Sequence, residues 1–276
     1  MNMKQTIVIT GASSGIGKAT AKLFAERGWN VAATMRNPEK ESELQTLPNV
    51  KVYALDVTNV ESVHHAFKQI SIDFKQIDVL LNNAGYGLAG PLETATEEKI
   101  MDQFNTNLFG IIRTIKAVLP SFRELGHGTI INITSIGGLV GLPFNSIYHA
   151  TKFGLDGMSE SLNYELRPFN IKVKTVAPGG VITDFAGRSL KRTVDGPSIY
   201  DESIQKVFAS FSKNASNYST AEQIAEVIYT AATDGSNQIR YVAGEDAKQT
   251  YSKWKSMNNE DFFEMINNRY GLGTSE

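Results

Sequence analysis

Apolar runs of strand length alternate with amphipathic stretches of helix length along almost the whole chain. The run TIVIT at 6–10 is β-branched and unbroken, the pattern of a strand covered on both faces. The helical stretch after it ends at Gly28, a C-terminal glycine. NVAATM at 30–35 and KVYAL at 51–55 read as the next two strands, and a helix over 60–74 precedes IDVLL at 77–81. A long helical pattern covers 96–119. It is expected to stop at Pro120, because proline lacks an N–H and its ring clashes with the preceding turn. TIINIT at 129–134, a helix over about 148–167 closed by Pro168, and IKVKTVA at 171–177 continue the alternation. A helix over 221–232 and a short strand at 238–242 complete it. Seven mostly apolar strands separated by helices predict a parallel sheet with helices on both faces.

Two architectures satisfy this order: an open doubly wound (Rossmann-type) sheet and a closed (β/α)8 barrel. The first strand-to-helix turn decides between them. It reads Thr10-Gly11-Ala12-Ser13-Ser14-Gly15-Ile16-Gly17, with glycines spaced G-x-x-x-G-x-G. Glycines let the backbone turn tightly and approach a pyrophosphate, whose charge the helix N-terminus favours. The spacing is not G-x-G-x-x-G, and a three-glycine turn can also be structural. Its position between a strand and a helix favours the open sheet. The expected fold is a single α/β domain over 1–244, with 245–276 as an extension packed on that domain or on a partner subunit.

Composition removes several function classes. A net charge of −2 argues against a nucleic-acid binder or a polybasic membrane protein. Cysteine is absent, which excludes disulfides, thiolate nucleophiles and Cys-based zinc sites. His64, His65, His127 and His149 have no ligand spacing, so no metal is expected; His149 reads as structural. The first residues lack the apolar core of a signal peptide, and no apolar run approaches the ~20 residues of a membrane span. A soluble cytoplasmic protein is the expectation.

Candidate chemistry concentrates between Ser135 and Lys152. Tyr148 and Lys152 are four apart at a helix start, which puts their Cβ atoms ~5–6 Å apart on one face. An ammonium beside a phenol favours the phenolate. Moving a tyrosine from ~10 to ~7 takes about 4 kcal/mol, more than one neighbouring cation supplies, so a second positive charge is needed. On its own the pair is also a common accident of amphipathic helices.

These motifs together resemble the short-chain dehydrogenase/reductase family. T-G-A-S-S-G-I-G at 10–17 resembles its cofactor turn, and Asn82-Asn83-Ala84-Gly85 its N-N-A-G motif. Asn107, Ser135, Tyr148 and Lys152 fall where the family keeps its catalytic tetrad. Pro178-Gly179, followed by Val181-Ile182-Thr183, resembles its cofactor segment after strand six. The matches stand in family order from residue 6 to about 244, and the pattern is most similar to the 17β-hydroxysteroid- and retinol-dehydrogenase-like branch.

The resemblance implies an oxidoreductase that moves hydride between a nicotinamide cofactor and a carbonyl/alcohol pair. Tyr148 would then donate a proton to the carbonyl oxygen, and Ser135 would orient that oxygen. Lys152 would lower the pKa of Tyr148 and bind the nicotinamide ribose, with the oxidised nicotinamide as the second positive charge. Asn107 would hold a water linking Lys152 to solvent; without the resemblance it reads as a polar residue at a helix kink. Gly11, Ser13, Ser14, Gly15, Ile16, Gly17, Asn83, Ala84, Gly85, Pro178, Gly179, Val181 and Thr183 would line the cofactor. Asp56 and Val57 would meet the adenine, although Asp56 also fits as the N-cap of a helix starting near Thr58.

The end of strand two bears on cofactor choice. A carboxylate there binds the adenosine ribose of NAD and repels the extra phosphate of NADP. This chain has Met35 and then Arg36, whose guanidinium suits a phosphate monoester, so NADP is expected and NAD is the alternative. Where many NADP-using relatives carry a basic residue before the middle glycine, this chain has Ser14, which offers a hydroxyl. The segment over about 185–220 takes the place of the family's substrate lid. Leu139, Leu142, Phe144, Phe185, Phe208 and Phe211 either line an apolar pocket for a hydrophobic ketone or aldehyde or pack the core. The rival classes are a cofactor-binding regulator without turnover, which would be expected to lose the Tyr148/Lys152 pair, and a dimerisation module, which would need neither the glycine turn nor Arg36. The resemblance also implies a homodimer or homotetramer built on the helices at 96–119 and 148–167.

Overall fold

The computed structural model describes residues 4–183, 190–193, 196–213 and 215–273. Its main sheet contains β1 (Thr6–Thr10), β2 (Asn30–Met35), β3 (Val50–Ala54), β4 (Val79–Asn82), β5 (Gly128–Ile133), β6 (Ile171–Pro178) and β7 (Arg240–Ala243). All neighbours are parallel, in the order β7-β6-β5-β4-β1-β2-β3. The chain therefore winds outward from β1 to β3, returns to β4 beside β1, and winds the other way. The sheet ends in two open edges, so it is doubly wound and not a barrel. Its switch point lies between β1 and β4, where open α/β sheets bind ligands at the carboxyl ends of their strands.

The helices are α1 (Gly15–Glu26), α2 (Val60–Phe74), α3 (Glu97–Phe104), α4 (Gly110–Leu125), α5 (Ser146–Leu166), α6 (Asp201–Lys213), α7 (Ala221–Thr233), α8 (Glu245–Ser256) and α9 (Asn259–Tyr270). Side chains alternate across a strand, and β1 shows the result. Ile7 and Ile9 pack with Phe24 of α1 and Ile228 of α7, while Val8 packs on the other face with Phe67 of α2 and Ile115 of α4. A third apolar cluster joins Leu139 and Val140 to Val207 of α6 and to Phe262, Ile266 and Tyr270 of α9. Leu142, Phe144 and Phe211 pack against this cluster. Phe208 instead lies under the Arg192 guanidinium, 5.0 Å from ring centroid to Cζ. Phe185 lies outside the described residues. Among those described, no helix is long and apolar enough to cross a membrane.

The helix expected to end at Pro120 does not. It runs to Leu125 and closes at Gly126, whose φ of +75° is the left-handed cap glycine favours. Pro120 and Lys116 are both exposed, so the carbonyl that loses its partner faces water, while Ile111, Ile115, Val118 and Phe122 stay buried. Nor is 96–119 one helix, because a π turn at Asn105–Phe109 separates α3 from α4. Other boundaries shift by one or two residues.

β6, which carries Pro178, is tied to α7 and β7 by a buried lysine. Lys174, 2% exposed, donates to Asp234 Oδ1 at 2.7 Å, to the Ala231 carbonyl at 2.8 Å and to the Tyr241 hydroxyl at 3.0 Å. Burial alone would raise the Asp234 pKa. The bonds from Lys174, Tyr241 and Ser236 outweigh it and hold the carboxyl well below its usual range. A carboxyl depressed in the folded state contributes stability above its unfolded pKa and loses it as pH falls below ~4. Lys174→Met is therefore expected to cost about 3 kcal/mol in urea unfolding at pH 7, with the gap to wild type narrowing below about pH 4. A gap that widened in acid would contradict the assignment.

Candidate active site

The β1–α1 turn is built on glycine for steric reasons. Gly11 and Gly15 have φ of +68° and +54°, a region that L side chains rarely adopt. A Cβ on Gly17 would lie 2.5 Å from both Asn83 Nδ2 and the Gly11 carbonyl. The close approach leaves Asn83 free to donate to the carbonyls of Thr10 and Gly11 at 2.9 and 3.0 Å. Thr10 Oγ1 accepts the N–H groups of Asn83 and Ala84, both at 3.0 Å. The end of β4 is thus bolted to the glycine turn. Beyond it, Ser14 is the N-cap of α1, its side chain makes no capping hydrogen bond, and the first turn has no acidic residue. The N–H groups and positive end of a helix suit a pyrophosphate. The residues present fit a dinucleotide.

Further candidates surround this turn. The Thr183 methyl lies 3.4 Å from the position a Gly15 Cβ would take, so the segment after β6 closes over the turn. Ser13 is exposed, while Ile16 and Val181 pack against the core. Asp56 Oδ1 accepts the N–H of Thr58 at 2.9 Å and its hydroxyl at 2.7 Å. Asp56 is not the helix cap: α2 begins at Val60, and Asn59 caps it by accepting Ser62 N–H at 2.9 Å. Arg36 follows buried Met35 at the end of β2. It is exposed and makes neither a hydrogen bond nor an ion pair among the described residues.

The tetrad candidates meet beside Gly85. Ser135 follows β5, and its Oγ accepts Gly137 N–H at 3.0 Å. Tyr148 and Lys152 share a face in the first turns of α5, with Lys152 Nζ 5.8 Å from the Tyr148 ring centroid. Lys152 is 6% exposed and donates to the Ile133 carbonyl at 2.8 Å. Burial lowers its pKa to about 8. Burial also raises the Tyr148 pKa, against a smaller downward pull from Ser135. In the protein by itself the phenol is therefore protonated, and the lysine points at a backbone carbonyl.

Asn107 sits in the π turn, fully buried. Its Oδ1 accepts Tyr86 N–H at 3.0 Å, and its Nδ2 donates to the Tyr86 carbonyl at 2.8 Å. The side chain is occupied in holding Tyr86, just after N-N-A-G. A Cβ on Gly85 would lie 3.1 Å from Asn107 Oδ1 and 3.9 Å from Lys152 Nζ, so Gly85 separates the two. His149 is structural: its Nδ1 accepts Leu142 N–H at 3.2 Å, and burial lowers its pKa to about 4, leaving it neutral. Sequence reasoning assigned no role to Thr10 or Tyr86. Thr10 stands inside the glycine motif, where its β-branched side chain reads as strand; nothing local marks Tyr86. Among the described residues no His, Asp or Glu group has the arrangement of a metal site.

Comparison with known proteins agrees with this geometry. A family model described as short chain dehydrogenase matches residues 5–193. A 3-ketodihydrosphingosine reductase of Bacteroides thetaiotaomicron is 38% identical over 253 residues, covering 91% of this chain and 92% of the relative. Retinol dehydrogenase 8 of Bos taurus is 40% identical over 197 residues, 68% of this chain and 62% of the relative. A solved structure described as ElxO with NADP bound superposes with a TM-score of 0.76 at 29% identity, over 90% of this chain and all of that one. The chain belongs to the short-chain dehydrogenase family.

Proposed function

We propose that the chain is an NADP(H)-dependent oxidoreductase that interconverts a hydrophobic ketone or aldehyde and its alcohol. One observation carries this reading: Tyr148 and buried Lys152 share one face of α5, with Nζ 5.8 Å from the phenol ring, and Ser135 draws the phenol pKa down, beside the glycine turn. When bound, the cofactor supplies or accepts the hydride at the carbonyl carbon. Tyr148 holds the proton for the carbonyl oxygen, and its raised pKa keeps that proton in place at neutral pH. Ser135 fixes the oxygen's orientation. Lys152 stabilises the phenolate left after proton transfer, since a nearby opposite charge favours the ionised form.

Gly11, Ser13, Ser14, Gly15, Ile16 and Gly17 would hold the pyrophosphate, and Asp56 and Val57 the adenine. Asn83, Ala84, Gly85, Pro178, Gly179, Val181 and Thr183 would flank the nicotinamide side. Arg36, exposed and without a partner among the described residues where a carboxylate would select NAD, is available to a phosphate monoester. The NADP-bound state of ElxO supports the same choice. The names of the reductase and retinol dehydrogenase relatives support an apolar carbonyl/alcohol pair. Met101, Phe109, Phe153 and Tyr164 are exposed on α3, the π turn and α5, the elements a second copy would cover.

Tyr148→Phe is expected to lower carbonyl reduction by at least about 100-fold while leaving NADPH binding nearly intact; undiminished turnover would overturn the mechanism. Steady-state kinetics should favour NADPH over NADH, and Arg36→Ala should shrink that preference by about tenfold. Equal or better efficiency with NADH in the wild type would sink the cofactor assignment.

A further inference from the structure

Where the chain leaves β6, Gly179 and Gly180 are gripped from behind by the C-terminal extension. Asp246, the second residue of α8, accepts Gly180 N–H through Oδ2 at 2.7 Å. The other polar groups of this turn are also fixed: Gly179 N–H donates to the Ala243 carbonyl at 3.0 Å, and the Gly180 carbonyl accepts Ser219 N–H at 3.0 Å. The fit is tight on every side. A Cβ on Gly179 would overlap both Asp246 carboxylate oxygens, and one on Gly180 would overlap the Tyr218 ring. Gly244, with φ of +97°, would place a Cβ 2.8 Å from Asp246 Oδ1 and 2.9 Å from Ser219 Oγ.

The same carboxylate carries an unresolved cost. Its Oδ1 is buried and has no hydrogen-bond partner among the described residues. A buried polar atom left unpaired costs ~1–3 kcal/mol, more when charged. The α8 N-terminus offsets part of that cost through its dipole. Capping α8 does not require the oxygen to be driven against Gly179; holding the Gly179–Gly180 turn does. Two consecutive glycines have wide conformational freedom, and directly after them Val181–Ile182 pairs in parallel with Ser219–Thr220 and Thr183 lies over Gly15.

We propose that Asp246 is a positioning residue for cofactor binding: it locks the Gly179–Gly180 turn so that 181–183 stays closed over the glycine loop. The extension after β7 thereby completes a cofactor site that it does not touch. This rests on the reading above that 178–183 flanks the nicotinamide. Loss of the lock acts on retention of the cofactor and not on the Tyr148 proton, so it appears in affinity before it appears in turnover at saturation.

The test is titration of the full-length protein with NADPH, followed by nucleotide fluorescence, with thermal midpoints measured in parallel. Asp246→Ala, which removes the acceptor, should raise the NADPH Kd about 10–100-fold with kcat at saturating NADPH much less affected. Asp246→Asn keeps an oxygen for Gly180 and should bind close to wild type. Asp246→Glu keeps a carboxylate at the start of α8, but is a methylene too long for the gap at Gly179. It should lose affinity like Asp246→Ala, and it serves if the alanine variant does not fold. Trp254→Ala, which cuts the ring contact of α8 with Phe262 on α9, should lower the thermal midpoint and leave NADPH affinity unchanged. Wild-type affinity in Asp246→Ala or in Asp246→Glu would overturn the proposal, as would an equal affinity loss in Trp254→Ala. A wild type that binds neither NADPH nor NADH would instead remove the cofactor reading beneath it.

Discussion

The structure depends on one close backbone approach, between the β1–α1 turn and the end of β4. Gly17 has no room for a methyl group because Asn83 Nδ2 and the Gly11 carbonyl already occupy that space. Asn83 and Thr10 then exchange hydrogen bonds across the switch point of the sheet. Everything chemical is hung from this junction. Gly85, two residues after Asn83, lies between Asn107 and Lys152, while Thr183 lies over Gly15. A change that opened the junction would displace the cofactor cradle and the tetrad candidates together.

The electrostatics of the site are dominated by burial. Lys152 is buried and brought down to about 8, and Tyr148 is raised by burial. One lysine held on the Ile133 carbonyl does not offset the desolvation of the phenol. An oxidised nicotinamide, if held there as proposed, would supply a further positive charge that favours the phenolate.

Much of this was legible in the sequence because it follows from local pattern. Unbroken β-branched runs mark strands buried on both faces, and the three glycines between β1 and α1 mark a backbone approach that only glycine permits. What stayed hidden depends on exposure and on distant partners. Pro120 reads as a stop, yet its side of α4 faces water, and burial of Ile115, Val118 and Phe122 carries the helix past it. Asp56 reads as a cap, but Asn59, three residues on, holds the position. Asp246 lies 66 residues from the glycine whose N–H it holds, and no periodicity announces such a pairing. Phe144 and Phe211 fit a substrate pocket as well as a core by composition; the packing of α6 and α9 places both against the third apolar cluster.

As proposed, Tyr148 is an acid whose ionisation a bound nicotinamide would control together with Lys152. This is tested most directly by ultraviolet difference titration of tyrosine ionisation, with wild type compared to Tyr148→Phe, in the presence and absence of NADP+. The account predicts one tyrosine whose pKa falls when NADP+ binds, and the loss of that signal in Tyr148→Phe. A titration unaltered by NADP+, in protein shown to have bound it, would contradict the account.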